Sequence, residues 1–190
     1  MHACKKTSWN LIPGLCLLAL AGAAMAAFSV NKISARLEDR ALRIEGSLDL
    51  GLSDKVEEAL SKGIPLEVRV GVRLYRERPW LWDEQLEQWV LRHRILYHAL
   101  SNQYLVNRGP EQAQAESFTS LQEALAYMGT LDGWRLPLES TPELEADAAY
   151  RVEIRASLSV ESLPAPLRPV AYTSPSWHLN SGWTSWKVLP

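Results

Sequence analysis

The chain contains almost no cysteine. Two of its 190 residues are cysteines, Cys4 and Cys16, and both precede residue 27. From that point on, the sequence excludes a disulfide, a thiol nucleophile and a cysteine-ligated metal site. Phenylalanine is equally scarce, with two residues against eight tryptophans. No apolar run after residue 27 reaches the roughly 20 residues that a membrane-spanning helix requires.

The first 26 residues have the organisation of a secretory signal peptide. They begin with Lys5 and Lys6, continue with an apolar run at 11–21 and end with small residues in Ala24-Met25-Ala26. The apolar run is only about half the length of a membrane span, so an uncleaved anchor is the less favoured alternative. We therefore expect residues 1–26 to be a cleaved signal peptide and residues 27–190 to be one soluble domain exported to the periplasm.

The charge of the exported part is mildly acidic. The whole chain has a formal net charge of −2, and the loss of Lys5 and Lys6 brings residues 27–190 to −4. A nucleic-acid-binding surface is expected to be basic, so this balance argues against one. Residues 27–190 are also few enough to form a single domain with its own core.

Alternation of aliphatic and polar residues is the dominant pattern. It predicts half-buried strands at residues 33–37, 42–50, 66–74 and 150–160, because successive side chains of a strand point to opposite faces of the sheet. Clean alternation is typical of an antiparallel sheet with one solvated face. The sequence thus predicts a β-rich α+β domain, namely an antiparallel β-sandwich of seven or eight strands with two short helices.

The two helices are predicted from caps and apolar stripes. The first begins at Ser53 or Asp54 and ends at Gly63, and the second covers about 119–128, with Ser120 and Glu123 spaced for a capping box. Residues 83–106 fit a helix or strands, and their aromatic and β-branched content favours strands. Residues 109–116 are expected to form a polar loop. The proline-rich segment 163–169 is expected to be an extended connector.

Several segments resemble a family of small exported proteobacterial proteins known as domain of unknown function 4390. They are residues 56–66, Arg76, Arg78, Trp82, residues 96–100 with Tyr104, Phe118 with residues 124–125, Tyr150, Arg155, residues 163–167, Trp177, residues 181–183 and Trp186. The family has no assigned activity, so the resemblance implies no catalytic residues. The sensor-kinase and RNA-methyltransferase genes that often neighbour its genes imply a role in envelope signalling.

No arrangement of residues predicts an enzyme. His93 and His98 are five residues apart, which places them on opposite faces of a strand and about 140° apart on a helix. His178 lies far along the chain, and no zinc-protease, P-loop, dinucleotide-binding or nucleophile-elbow motif is present. We therefore predict no catalytic residue, no metal and no cofactor.

Arginines on two predicted strands suggest either a structural or a binding role. Arg69 and Arg73 share the outer face of one strand, as Arg155 does with Arg151 on another, and glutamates lie on the same faces. If these strands are neighbours, opposite charges form a cross-strand ladder, each pair contributing about 0.2–1 kcal/mol. The alternative is an anion-binding patch for a lipid headgroup or an acidic partner.

Three tryptophans near the carboxyl end are the other candidate recognition residues. Trp177, Trp183 and Trp186 lie within ten residues and beside a Ser-Gly turn. Their indoles suit stacking on sugars or insertion into a partner's groove, and they equally suit closure of one end of a sandwich. The functional hypothesis is a non-enzymatic periplasmic binding module, accessory to an envelope or inner-membrane sensor system. The alternative is a cell-envelope hydrolase or a carbohydrate- or lipid-binding domain.

Overall fold

A computed structural model describes residues 27–109, 114–139, 144–145 and 147–189. The predicted signal peptide, residues 1–26, lies outside the described residues, as do positions 110–113 of the predicted polar loop. The strands are β1 (Phe28–Glu38), β2 (Ala41–Leu50), β3 (Leu66–Arg76), β4 (Glu84–His98), β5 (Gln103–Arg108), β6 (Glu116–Phe118), β7 (Trp134–Pro137), β8 (Tyr150–Leu158) and β9 (Thr184–Leu189). The helices are α1 (Asp54–Ser61), α2 (Leu121–Gly129) and α3 (Arg168–Thr173), with short 3₁₀ turns at Val160–Ser162, Ala165–Leu167 and Pro175–Trp177.

All nine strands belong to one mixed sheet. Their order is β6-β5-β4-β3-β8-β9-β1-β2-β7, and every neighbouring pair is antiparallel except β1 and β9. The domain is β-rich as predicted, but the sandwich is not confirmed. The physical reason is the parallel pairing of Ala35 with Val188 and Arg36 with Leu189, which joins two antiparallel groups of strands edge to edge. Two separate layers therefore do not form.

The sheet is curled into a half-barrel. Although β4 and β7 are third and last in the strand order, the Trp89 indole N–H donates to the Pro137 carbonyl at 3.0 Å. The rings of His93 and Trp134 also meet edge to face, with centroids 5.2 Å apart. Helix α2 contacts both β2 and β5, which are near opposite ends of the strand order, so it lies inside the curl of the sheet. The core fills the space inside this curl.

The predicted alternation is confirmed most clearly on β3. Val68, Val70 and Val72 point into the core and are fully buried, whereas Arg69 and Arg73 point outward. Residues 83–106 form β4 and most of β5, as the favoured strand interpretation predicted. The pairing of β3 with β4 and with β8 fixes which outward side chains become neighbours.

The first two helices begin where the sequence indicated. Ser53 caps α1, and its hydroxyl accepts the Val56 N–H at 3.4 Å. Ser120 occupies the N-cap of α2 but its side chain makes no capping hydrogen bond, so the capping box does not form. Gly129 is the last residue of α2, and a Cβ there would lie only 2.2 Å from the Leu48 carbonyl oxygen. The glycine therefore allows the helix to approach β2 closely.

The proline-rich segment is not the extended connector that we predicted. Ala165–Leu167 forms a 3₁₀ turn that continues directly into α3. Prolines occupy the first turn of each of these helices, where a backbone N–H would have no intrahelical partner in any case. Among the residues that the structure describes, every helix is too short or too polar to cross a bilayer.

Candidate functional site: an arginine–tryptophan cluster on the outer face

The outer face of β3, β8 and β9 carries the candidate site. Gly71 lies directly opposite Arg155 in the pairing of β3 with β8, and Arg73 lies opposite Glu153. Trp183 precedes β9, and its indole covers Gly71: a Cβ at Gly71 would stand 3.0 Å from Cη2 of the ring. Gly71 is the only outward position of 66–74 without a charged side chain, and it is the place where the Trp183 indole, from the segment before β9, is accommodated.

Two guanidinium groups flank this indole. The Arg73 Cζ atom lies 3.9 Å from the centroid of the Trp183 ring, and the Arg155 Cζ atom lies 6.0 Å from it. Both distances fall within the range of a cation–π attraction, which is strongest when the cation is partly desolvated. Trp183 keeps 37% of its surface exposed. We call Arg73, Arg155 and Trp183 the Arg–Trp cluster.

The arginines of this cluster differ from their neighbours in lacking acidic partners. The Nε atoms of Arg73 and Arg155 are buried and have no hydrogen-bond partner. Within the described ranges, neither arginine forms an ion pair. Glu153 lies opposite Arg73 but bonds Arg151 on its own strand instead. Two guanidinium groups thus lie at one indole without an ion pair to an acidic side chain of the described residues.

The adjacent arginines Arg69 and Arg151 form ion pairs, as the charge-pairing interpretation predicts. Arg69 Nε contacts the buried Glu67 at 3.2 Å, and Arg69 Nη1 contacts Glu161 at 3.2 Å. Arg151 is bound by Asp83 at 3.0 Å and by Glu153. Two of these four pairs, Arg69 with Glu67 and Arg151 with Glu153, join residues two apart on one strand, whereas the predicted ladder runs across strands. The charge-pairing interpretation therefore applies to Arg69 and Arg151 but not to Arg73 and Arg155.

The geometry of the cluster suits recognition of an anion. A guanidinium that stacks on an aromatic ring keeps its N–H groups in its own plane, where they match a carboxylate or a phosphate bidentately. Further basic side chains belong to neighbouring strands: Arg92 lies opposite Arg69 on β4, and Lys187 lies opposite Arg151 on β9. The local charge on this face is therefore positive, although the net charge of the whole chain is negative.

The other predicted recognition residues lie elsewhere. Trp177 belongs to the hydrophobic core and is 6% exposed, so it lies apart from the Arg–Trp cluster. Trp186 lies opposite the buried Val152 and packs against the core, and its indole nitrogen is buried without a hydrogen-bond partner. Trp183 and Trp186 are three residues apart, so strand alternation places them on opposite faces. A joint stacking platform of the two indoles does not form.

The histidines form no catalytic arrangement in the described part of the chain. His93 is buried, and its Nδ1–H donates to the Met128 carbonyl at 3.0 Å. Burial lowers the pKa of His93 from 6.5 to about 4, with a smaller contribution from the nearby Arg108 charge, and the bond to Met128 opposes both. His98 is exposed and contacts only the Ser101 hydroxyl of its own hairpin, at 3.0 Å. Among the described residues, no group of three or more His, Cys, Asp or Glu is arranged to hold a metal ion.

Sequence reasoning missed a second exposed feature, at the turn between β3 and β4. Trp80 is 101% exposed, Leu81 67% and Trp82 91%. Only Trp82 had been noted, and only for its part in the family resemblance. The available signal was three consecutive apolar residues after Pro79, between two strands and without the alternation that would bury one side.

Comparison with known proteins identifies a family without an assigned role. No curated protein and no solved structure is significantly similar to this chain. One family model, described as a domain of unknown function (DUF4390), matches residues 25–187. The match includes β1 to β8 and most of β9. The match agrees with the resemblance drawn from the sequence. The chain belongs to the DUF4390 family.

Proposed function

We propose that this domain is a non-enzymatic binding module of the periplasm that recognises an anionic group on an envelope partner. The observation that carries the proposal is the Arg–Trp cluster. Two guanidinium groups are held on one half-exposed indole and lack acidic partners within the described residues. The group recognised is a carboxylate or a phosphate, because these are the anions that match the guanidinium fork.

Two further features support this proposal. The amino-terminal residues have the pattern of a signal peptide, which directs the domain to the envelope. On the outward side of β3 and β8, Arg69, Arg73, Arg151 and Arg155 outnumber Glu67 and Glu153. An excess of one charge on a surface raises the rate at which an oppositely charged partner associates.

The hydrolase alternative finds less support in the geometry. It needs a histidine oriented by a carboxylate beside a nucleophile. His98 contacts Ser101, but this pair lies in an exposed hairpin turn, and among the described residues neither His98 nor His178 forms an ion pair with a carboxylate. The Arg–Trp cluster is the stronger basis for a function.

The first test measures anion binding at the cluster itself. Inorganic phosphate and acetate are titrated into the protein while NMR records the Nε–H signals of Arg73 and Arg155 and the indole N–H of Trp183. We expect these signals to shift together and to saturate. In the Arg73→Gln/Arg155→Gln variant the Trp183 signal should no longer respond. Signals that do not move with either anion would refute anion recognition at this site.

The second test concerns the partner. The tagged protein is cross-linked in its native envelope, and the co-purifying proteins are identified by mass spectrometry. We expect a partner whose recovery falls in Trp183→Ala and in Arg73→Gln/Arg155→Gln. The matched control is Arg43→Gln, which removes an exposed arginine of β2 that pairs with Glu38 at 2.9 Å. Equal recovery with all three variants would show that the cluster is not the recognition surface.

A further inference from the structure

A second surface of the domain is the turn between β3 and β4. Of its three consecutive residues, Trp80 and Trp82 are almost entirely exposed and Leu81 is two-thirds exposed, and we call them the apolar tip. An isolated exposed apolar side chain is ordinary, but contiguous exposed apolar surface marks an interaction site. The apolar tip extends beyond Arg76, the last residue of β3, so it is separate from the Arg–Trp cluster in the middle of that strand.

The base of the turn is cross-linked by ion pairs and hydrogen bonds. Glu84 binds both Arg76, at 3.1 Å from its Nε, and Arg78. Asp83 accepts the Arg78 backbone N–H at 3.4 Å and the Arg151 Nε–H at 3.0 Å. Arg78, Asp83 and Glu84 next to the tip therefore have partners of opposite charge or hydrogen-bond partners. They also hold the turn in one shape, which lowers the entropic cost of binding.

The backbone of the tip is strained without an internal reason. Trp80 has φ +74°, in the left-handed region that a bulky side chain rarely adopts. A fully exposed Trp80 gains no packing within the described chain that offsets this cost. Strained backbone of this kind is found at functional sites, where the strain is part of the binding geometry.

We propose that the apolar tip inserts into a zwitterionic phospholipid surface. Trp80, Leu81 and Trp82 are all exposed although neighbouring side chains point in different directions. A fluid medium accommodates all three at once, whereas a protein partner would need separate pockets. Tryptophan is the residue that favours the boundary between headgroups and acyl chains.

The charges around the tip determine which lipid it suits. Arg76, Arg78 and Arg151 already have carboxylate partners, and Arg76 pairs with Glu145 as well as with Glu84. Glu77 and Asp147 add further carboxylates to the adjoining groove at this end of the sheet. The paired arginines therefore do not attract an anionic membrane, and the carboxylates near the tip repel it. This preference is opposite to that of the Arg–Trp cluster, so the two surfaces are distinguishable by experiment.

The test is co-sedimentation of the full chain with phosphatidylcholine vesicles, so that any contribution of residues 1–26 is common to all variants. We expect Trp80→Ala/Trp82→Ala to bind roughly tenfold or more weakly, since it removes most of the inserted apolar area. The matched control is Leu100→Ala, which truncates an almost fully exposed side chain on the β4–β5 turn and should leave binding unchanged. Replacing about a fifth of the lipid with phosphatidylglycerol should weaken binding of the wild-type chain.

Two comparisons keep the outcome clear. Arg73→Gln/Arg155→Gln should bind these vesicles as the wild type does, because the Arg–Trp cluster is a different surface. If the Arg–Trp cluster binds no anion, the proposal for the apolar tip still stands. If the apolar tip binds no vesicle, the proposal for the Arg–Trp cluster still stands. Far-UV circular dichroism and thermal unfolding of Trp80→Ala/Trp82→Ala should match the wild type, since neither side chain is in the core. Equal vesicle binding by the wild type and this variant would overturn the proposal. So would a photocrosslinker at Leu81 that captures a discrete protein and no lipid in the native envelope.

Discussion

Acidification from about pH 7 to about pH 5 is expected to destabilise the domain through His93. This side chain is buried beside Trp134, and its Nδ1–H donates to the Met128 carbonyl of α2 at 3.0 Å. The bond requires an N–H on Nδ1, which the neutral ring supplies. Protonation would add a charge to a buried ring that already has the Arg108 guanidinium nearby.

The magnitude follows from the two pKa values. Burial lowers the pKa of His93 in the native state to about 4, against 6.5 for an ordinary histidine. Between these values the unfolded chain binds a proton that the native chain does not, so the free energy of unfolding falls as the pH falls. The slope is about 1.4 kcal/mol per pH unit, and the full loss is about 3 kcal/mol. Above pH 6.5 the contribution is fully present, and below about pH 4 it is entirely lost.

The measurement is denaturant unfolding followed by tryptophan fluorescence at several pH values above about 5. This range avoids the titration of Glu84 and Glu161. Hydrogen bonds from Arg78 and Arg76 lower the pKa of Glu84, and a backbone hydrogen bond lowers the pKa of Glu161. Protonation of these two carboxylates therefore destabilises the domain only in more acidic solution. Total stabilities of small domains are about 5–15 kcal/mol, so the loss is readily measured.

The decisive comparison uses two histidine variants. His93→Gln should be less stable at neutral pH but should lose most of the pH slope, since the titrating group is gone. His178→Gln removes an exposed histidine and should keep the wild-type slope. If His93→Gln retained the full slope between about pH 5 and 6.5, the reasoning from its burial would be refuted.

Three further predictions test the packing of the fold. Gly129→Ala should lower the free energy of unfolding by about 1–3 kcal/mol, measured by thermal unfolding, because the added Cβ would meet the Leu48 carbonyl and push α2 away from β2. The control Gln122→Ala, on the same helix, should change this free energy little. Glu67→Gln should change stability by less than about 1 kcal/mol, because, of its two partners, Arg94 has a 69% exposed side chain and can turn to water, and Arg69 keeps its ion pair with Glu161. Arg69→Gln/Arg94→Gln should instead cost about 2 kcal/mol or more by leaving a buried carboxylate without an ion pair. Trp89→Phe should cost about 1 kcal/mol through loss of the hydrogen bond to Pro137 and should speed amide exchange in β7, and unchanged exchange there would contradict a role in holding the curl.

The sequence predicts the position of some residues of the candidate site but not of others. Arg69, Arg73 and Arg155 were placed on outward faces correctly, because alternation along a strand is a local property. Trp186 was grouped with Trp183 although the same alternation places side chains three apart on opposite faces, so the sequence contained that correction. Trp177 carried no such signal: its burial depends on segments distant in the chain that pack over it.

The sequence by itself determined β1 to β5 and β8, the first two helices and the outward side of β3 and β8, because period, caps and turn residues act over a few neighbours. It did not indicate the short strands β6, β7 and β9. The tertiary structure alone decided that β9 pairs in parallel with β1, that the sheet curls, and that Trp183 lies over Gly71 between Arg73 and Arg155. The pairing of β9 with β1 and the contact of Trp183 with Gly71 and Arg73 join segments more than a hundred residues apart, and no local pattern specifies which strand edges meet. The Arg–Trp cluster is therefore a product of strand order, whereas the exposure of the apolar tip follows from a short turn that alternation does not bury.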